Sequence, residues 1–301
     1  MTRSVKSLGS RDAQGLFYGL IGVLIFGLTL PTTRIAVAEL DPVFVGLGRA
    51  LPAALCAGLL LLVTRTAIPA RRHWWNLAIT SGGIVFGFPV FATIAMATVP
   101  AAHGGVVLAI LPLATAVAGS LFGGERPSLA FWFFGLMGAA LVFAFVVVRG
   151  GGIGGISFGD LLLVIAVICA AVGYAKGGVL ARDMAGWRVI CWALVIAVPF
   201  LLLIVLLASG PINWQAGVGA WSGFFYVALF SQFLGFFAWN HGLALGGIAR
   251  VGQLQLLQPF VTLLASALLL AEAVGWIEIA FALAVVASVM AGRRTQVRRV
   301  P

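Results

Sequence analysis

Charge is what this sequence has least of. Charged residues make up 9% of the chain, against about a quarter in soluble domains. With 62% hydrophobic residues and a mean hydropathy of +1.15, water is excluded as the main solvent. Cysteine is scarce too. Cys56, Cys169 and Cys191 all lie in apolar runs without metal-type or paired spacing, so neither a metal centre nor a disulfide framework is expected, and they read as small core residues. The acidic residues Asp12, Glu39, Asp41, Glu125, Asp160, Asp183, Glu272 and Glu278 all fall in tails, loops or run ends. A proton-coupled carrier usually keeps a carboxylate at mid-membrane, so facilitated export or exchange is expected, with His241 as the remaining proton route. His103 is expected at the outer surface and His73 at the inner. There is no Ser-His-Asp set, no HExxH and no paired intramembrane carboxylate. An intramembrane enzyme, the alternative from a different class, therefore lacks its chemistry. No cofactor is implied.

What is there is a succession of long apolar runs. A membrane-spanning helix needs about 20 apolar residues, and about ten such spans fit this length with short loops. They are expected near 16–38, 43–64, 75–97, 101–121 and 128–148, then 158–181, 187–208, 220–243, 249–270 and 273–292. The first run is too long for a secretory signal and lacks a small-residue cleavage site, so no removed leader is expected. Between the sets lies the glycine-rich stretch 150–156, the expected linker between a first repeat (1–149) and a second (157–301). The net charge of +10 raises nucleic-acid binding, but the basic residues cluster at the tails and in short loops, where membrane orientation accounts for them. With the N-terminus inside, Arg149 is the one Lys or Arg left outside. Both termini are therefore expected in the cytoplasm, in a bacterial-type inner membrane, with the lipid bilayer as partner, no nucleic acid, and a monomeric state.

A repeat spaced by 147 residues relates Gly105, Pro112, Thr115, Ala118, Leu121 and Glu125 to Gly252, Pro259, Thr262, Ala265, Leu268 and Glu272. Pro52 recurs as Pro199 at the same offset. Five spans per half force the second half into the membrane with opposite polarity. The expected fold is all-α, a polytopic membrane protein of ten transmembrane helices arranged as two inverted five-helix repeats around a central cavity.

The segments Phe122-Gly123-Gly124-Glu125-Arg126-Pro127 and Leu270-Ala271-Glu272, with Leu111-Pro112 and Gln258-Pro259 in mid-run, resemble the EamA branch of the drug/metabolite transporter superfamily. Within it the chain looks most like the YddG-type amino-acid exporters. The resemblance covers nearly the whole chain. It implies a basket of helices around a cavity lined mainly by helices one, three, four, six, eight and nine.

Candidate substrate-binding residues follow from polar or aromatic side chains inside the runs. Gln255 and Gln258 share a helix face with Thr262, and Gln232 shares one with Gly235 and Trp239. Such stripes line a cavity or serve as interhelical glue. The first half supplies Thr29, Phe86, Phe88 and Phe91, apolar where the second half is polar, a pairing that suits an amphiphile. Lys176, beside Tyr174, either meets a substrate carboxylate or snorkels to the headgroups. Pro112 and Pro259 each remove a backbone hydrogen bond, and read as paired hinges or as static kinks. Arg34 and Arg49 are expected to be structural, with Glu39 and Asp41 close by. The function these features indicate is export or exchange of small metabolites by alternating access, amino acids including hydrophobic and aromatic ones foremost. Drugs, nucleosides and cationic compounds are the alternative substrates.

Overall fold

Backbone inside a bilayer must satisfy its own hydrogen bonds, and in the computed structural model the apolar runs do so as helices. The structure describes residues 2–123, 125–126, 128–149, 157–293 and 298–299. The expected linker 150–156 lies outside the described residues. The helices are α1 (Thr2–Gly27 and Thr29–Val37), α2 (Phe44–Val63), α3 (Arg71–Thr98), α4 (Ala101–Gly123), α5 (Leu129–Arg149), α6 (Phe158–Asp183), α7 (Gly186–Ala208), α8 (Val218–Gly246), α9 (Ile248–Gly252, Gln253–Leu257 and Gln258–Leu270) and α10 (Trp276–Arg293). Seven of the described helices, α1 to α4 and α6 to α8, are long and apolar enough to cross a membrane. In α5, α9 and α10 the apolar stretches are shorter, at Trp132–Phe145, Leu254–Leu270 and Trp276–Ser288.

The repeat seen in the sequence recurs in the helix ends. Shifted by 147 residues, the starts of α3, α4 and α5 (Arg71, Ala101, Leu129) land on Val218, Ile248 and Trp276, the starts of α8, α9 and α10. The end of α4 at Gly123 lands on Leu270, the end of α9. Packing follows the same exchange. Helix α1 packs on α8 as α6 packs on α3, and α4 meets α6 as α9 meets α1. Helices α2 and α7, α4 and α9, and α5 and α10 pair with one another.

The α1–α8 and α3–α6 contacts are glycine seams. A Cβ on Gly15 would stand 2.6 Å from the Gly246 nitrogen, and one on Gly242 would stand 2.8 Å from the Gly19 nitrogen. At the other seam a Cβ on Gly83 would stand 2.5 Å from the Cys169 carbonyl oxygen and 2.9 Å from the Gly173 Cα. Lipid supplies no hydrophobic drive between helices, so close backbone approach and dispersion must hold them together. Both seams give that approach. At the periphery, Glu125–Arg126 pairs antiparallel with Arg298–Arg299, so the C-terminal segment and the α4–α5 loop share one end of the bundle.

Candidate functional site: a closed polar centre

Four prolines open the backbone around the centre, and their consequences differ. Proline returns no N–H to the carbonyl a turn earlier. Helix α1 breaks at Leu28, three residues before Pro31, and the Gly27 carbonyl accepts the Thr262 hydroxyl at 2.7 Å. Residues Gly82–Gly87 form a π-helical turn that ends two residues before Pro89. In that register the proline's missing N–H belongs to Ile84, whose carbonyl accepts Gln232 Nε2 at 3.0 Å. At Pro112 and Pro259 the chain tightens instead. Leu111 N–H donates to the Leu108 carbonyl and Gln258 N–H to the Gln255 carbonyl, the same turn in both halves.

Two further π-helical segments, Phe44–Gly48 and Tyr226–Leu234, bring α2 and α8 to the same place. Such wide turns are rare and often mark functional sites. They surround a cavity whose polar lining is Thr29, Arg49, Tyr174, Ser231, Gln232 and Gln258, with Phe26, Phe88 and Phe236 as its aromatic walls. Thr29 and Ser231 share a hydrogen bond at 2.8 Å. The Tyr174 ring packs against Phe26, Phe236 and Trp239 at centroid distances of 6.2, 5.9 and 5.5 Å. About 10 Å³ is open to a water-sized sphere, room for about one water molecule. In this conformation the space is too small for a solute larger than water.

Arg49, read from sequence as structural with Glu39 and Asp41 close by, lines this cavity. It is 2% exposed, and its Nε has no hydrogen-bond partner. The ion pairs among the described residues are Arg34–Glu272, His73–Asp183 and His103–Asp160, and none involves Arg49. A buried, unpaired ion costs several kcal/mol even after relaxation and water penetration. A signal was available. Arg49 sits deep in an apolar run behind Gly46 and Gly48, eight or more residues from Asp41 and Glu39, too far for a helical i, i+4 pair.

Of the residues singled out from sequence, Thr29, Phe88, Tyr174, Gln232 and Gln258 line the cavity. Trp239 is fully buried behind Tyr174, its indole N–H unpartnered. Gln255 is buried beside Thr115, which donates to its Oε1 at a long 3.4 Å, while its Nε2 has no partner. Phe86 and Phe91 pack against the core outside the lining. Lys176 also stands outside it, donating to Asn76 Oδ1 at 3.2 Å and lying 4.5 Å over the Phe122 ring. Pro112 and Pro259 are buried. The larger cleft in the molecule, about 600 Å³ between α4, α5 and α6, is apolar except for Asp160, which already pairs with His103 at 2.7 Å and caps α6 through Ser157. It offers nothing to orient a polar solute. His103, expected at the surface, is mostly buried through that pair.

One end of the bundle is clamped by contacts far apart in sequence. Glu272, between α9 and α10, accepts the Ala101 and Ala102 N–H groups at 3.0 and 2.9 Å and pairs with Arg34 Nε at 3.2 Å. Arg34 Nη1 donates onward to the Met96 and Val99 carbonyls at 3.0 and 2.7 Å. Arg34 was expected beside Glu39 and Asp41. Those two instead hold backbone N–H groups of Gly217 and Phe44.

Apolar helices packed around sealed polar side chains define an integral membrane protein of transporter type. The EamA-like transporter family model matches it twice, over residues 13–148 and 157–291, and the chain belongs to that family. It is 44% identical over 286 residues, spanning 95% of this chain and 99% of the relative, to the uncharacterized transporter YdeK of Bacillus subtilis (strain 168). It is 23% identical over 186 residues, 60% of this chain and 61% of the relative, to the uncharacterized transporter YyaM of the same organism. A solved crystal structure superposes with a TM-score of 0.65 at 19% identity, covering 94% of this chain and 99% of the other; that likeness is one of fold.

Proposed function

We propose that this transporter exports or exchanges small amphiphilic metabolites, amino acids among them, as the YddG-type exporters it resembles do. It works by alternating access between residues 1–149 and 157–301. The halves are inverted five-helix repeats, ten spans in all, with both termini in the cytoplasm and the chain in an inner membrane as a monomer. The coincident helix ends at an offset of 147 residues and the exchange-symmetric packing support the repeat. The shared end of the C-terminal segment and the α4–α5 loop supports an even number of spans. Pro112 and Pro259, with matched tight turns before them, are the hinges.

The observation that carries this reading is the closed centre itself. Gln258 Oε1 and Arg49 Nε, both in its lining, are buried without partners. Unpaired buried polar groups cost about 1–3 kcal/mol each, so a centre built of them is made for a polar visitor rather than for stability. The test is counterflow. Purified protein in liposomes preloaded with an unlabelled amino acid is expected to take up the labelled one saturably and chemically unchanged. Uptake that rises linearly with concentration for amino acids, nucleosides and cationic drugs alike, or a modified solute, refutes it.

A further inference from the structure

The proposed transport cycle leaves the charge at the centre unexplained. Arg49 emerges from the π-helical turn of α2, 2% exposed, in a cavity whose other polar residues, Thr29, Tyr174, Ser231, Gln232 and Gln258, are all neutral side chains. Among the described residues no carboxylate pairs with it. The site therefore carries one positive charge. A buried ion without a partner destabilises the protein that holds it, and replacing it by an apolar side chain of similar volume is commonly stabilising. A guanidinium kept in such a place presents a rigid fork of donors that fits a carboxylate in two parallel hydrogen bonds.

We propose that Arg49 is the anion receptor of the transport site, and that its substrates are small carboxylate monoanions with an apolar tail against Phe26, Phe88 and Phe236. This rests on the central cavity being the transport site. One cation matches one negative charge, whereas a phosphate dianion leaves a buried charge unmatched. A cationic drug meets repulsion. The absence of a lining carboxylate also has a consequence for amino acids. Their ammonium group finds only amide and hydroxyl oxygens and ring faces, so the carboxylate carries recognition and the ammonium is dispensable.

The test is thermal unfolding of the purified full-length protein with matched solutes: propionate, alanine and alaninamide, then 3-phenylpropionate, phenylalanine and phenylalaninamide. In the wild type the simple carboxylates are expected to raise Tm at least as much as the amino acids, and the amides to leave it unchanged. R49M is expected to unfold at a higher temperature than wild type without solute and to show no shift with any of them. R49K keeps the charge but loses the fork, and is expected to retain a smaller carboxylate shift; it takes the place of R49M if that variant does not fold. The proposal is overturned if R49M folds yet unfolds below wild type or still shifts with carboxylates, if amides shift wild type as much as acids, or if no carboxylate shifts it. Counterflow on the same proteins separates the two readings. Flux of the panel that is indifferent to R49M keeps the transporter reading and removes this proposal, whereas Arg49-dependent binding without flux overturns the transport reading of the cavity and leaves Arg49 only an anion-binding residue.

Discussion

Glu272→Ala removes three interactions at once, and their sizes differ enough to rank. Ala101 and Ala102 are 0% and 4% exposed, so their N–H groups at the start of α4 have no water to turn to. Hydrogen bonds to a charged acceptor contribute about 1.5–3 kcal/mol each, so the pair accounts for about 3–6 kcal/mol. The ion pair counts for less, because the Arg34 side chain is 32% exposed, and an exposed pair is worth up to ~1 kcal/mol. Arg34 also keeps its two carbonyl acceptors. Glu272→Gln retains one acceptor oxygen and loses the charge, for about half that total. At 1.4 kcal/mol per decade, the glutamine variant is expected to raise the open population of the first α4 turn ~10-fold to 100-fold. Amide hydrogen exchange at Ala101 and Ala102 measures this directly. Unchanged exchange in Glu272→Ala means that the start of α4 is held by packing, and the clamp has no energetic role.

Three further perturbations test the packing and the site assignments. Gly83→Ala is expected to lower Tm by several degrees, since its Cβ meets backbone atoms of α6, while Gly82→Ala, with nothing within 4 Å, leaves Tm unchanged; equal effects disprove the seam. Thr262→Val strands the Gly27 carbonyl that Pro31 frees, at a cost of about 1–3 kcal/mol, read from chemical or thermal unfolding; an unchanged stability means that water reaches that carbonyl. Lys176→Met is expected to leave acid-over-amide selectivity in the binding assay intact and to reduce stability slightly through the lost Asn76 bond. A selective loss of carboxylate binding would return Lys176 to the transport site.

The fold was legible where composition constrains it most. Apolar runs must be helices in a bilayer, and prolines and glutamates sharing one offset are improbable in a leucine- and alanine-rich background, so Pro112 and Pro259 disclosed the repeat. Helix ends were less visible. α3 begins at Arg71 rather than near residue 75, because its first turn is charged and lies outside the apolar run. Depth and facing were the weakest readings at the site. Lys176 and Arg49 are both lone cations in apolar runs, and only the three-dimensional packing separates a lysine held by Asn76 from an arginine sealed at the centre. Arg34 was matched to its neighbours Glu39 and Asp41, but its partner Glu272 lies more than two hundred residues away, a contact that no local pattern encodes. Gln232 and Gln258 were found because an amide in an apolar run is costly wherever it faces lipid.

The near absence of space at the centre sets the terms for inhibiting such a protein. A compound chosen to fit the resting shape is drawn to the apolar cleft between α4, α5 and α6, where it meets no residue of the proposed transport step. One aimed at Arg49 has to arrive while the helices are apart. A carboxylate with a tail too bulky for Phe26 and Phe236 to close upon would be held by the charge and yet jam the closure, so bulk that improves nothing in affinity would turn a substrate into a blocker.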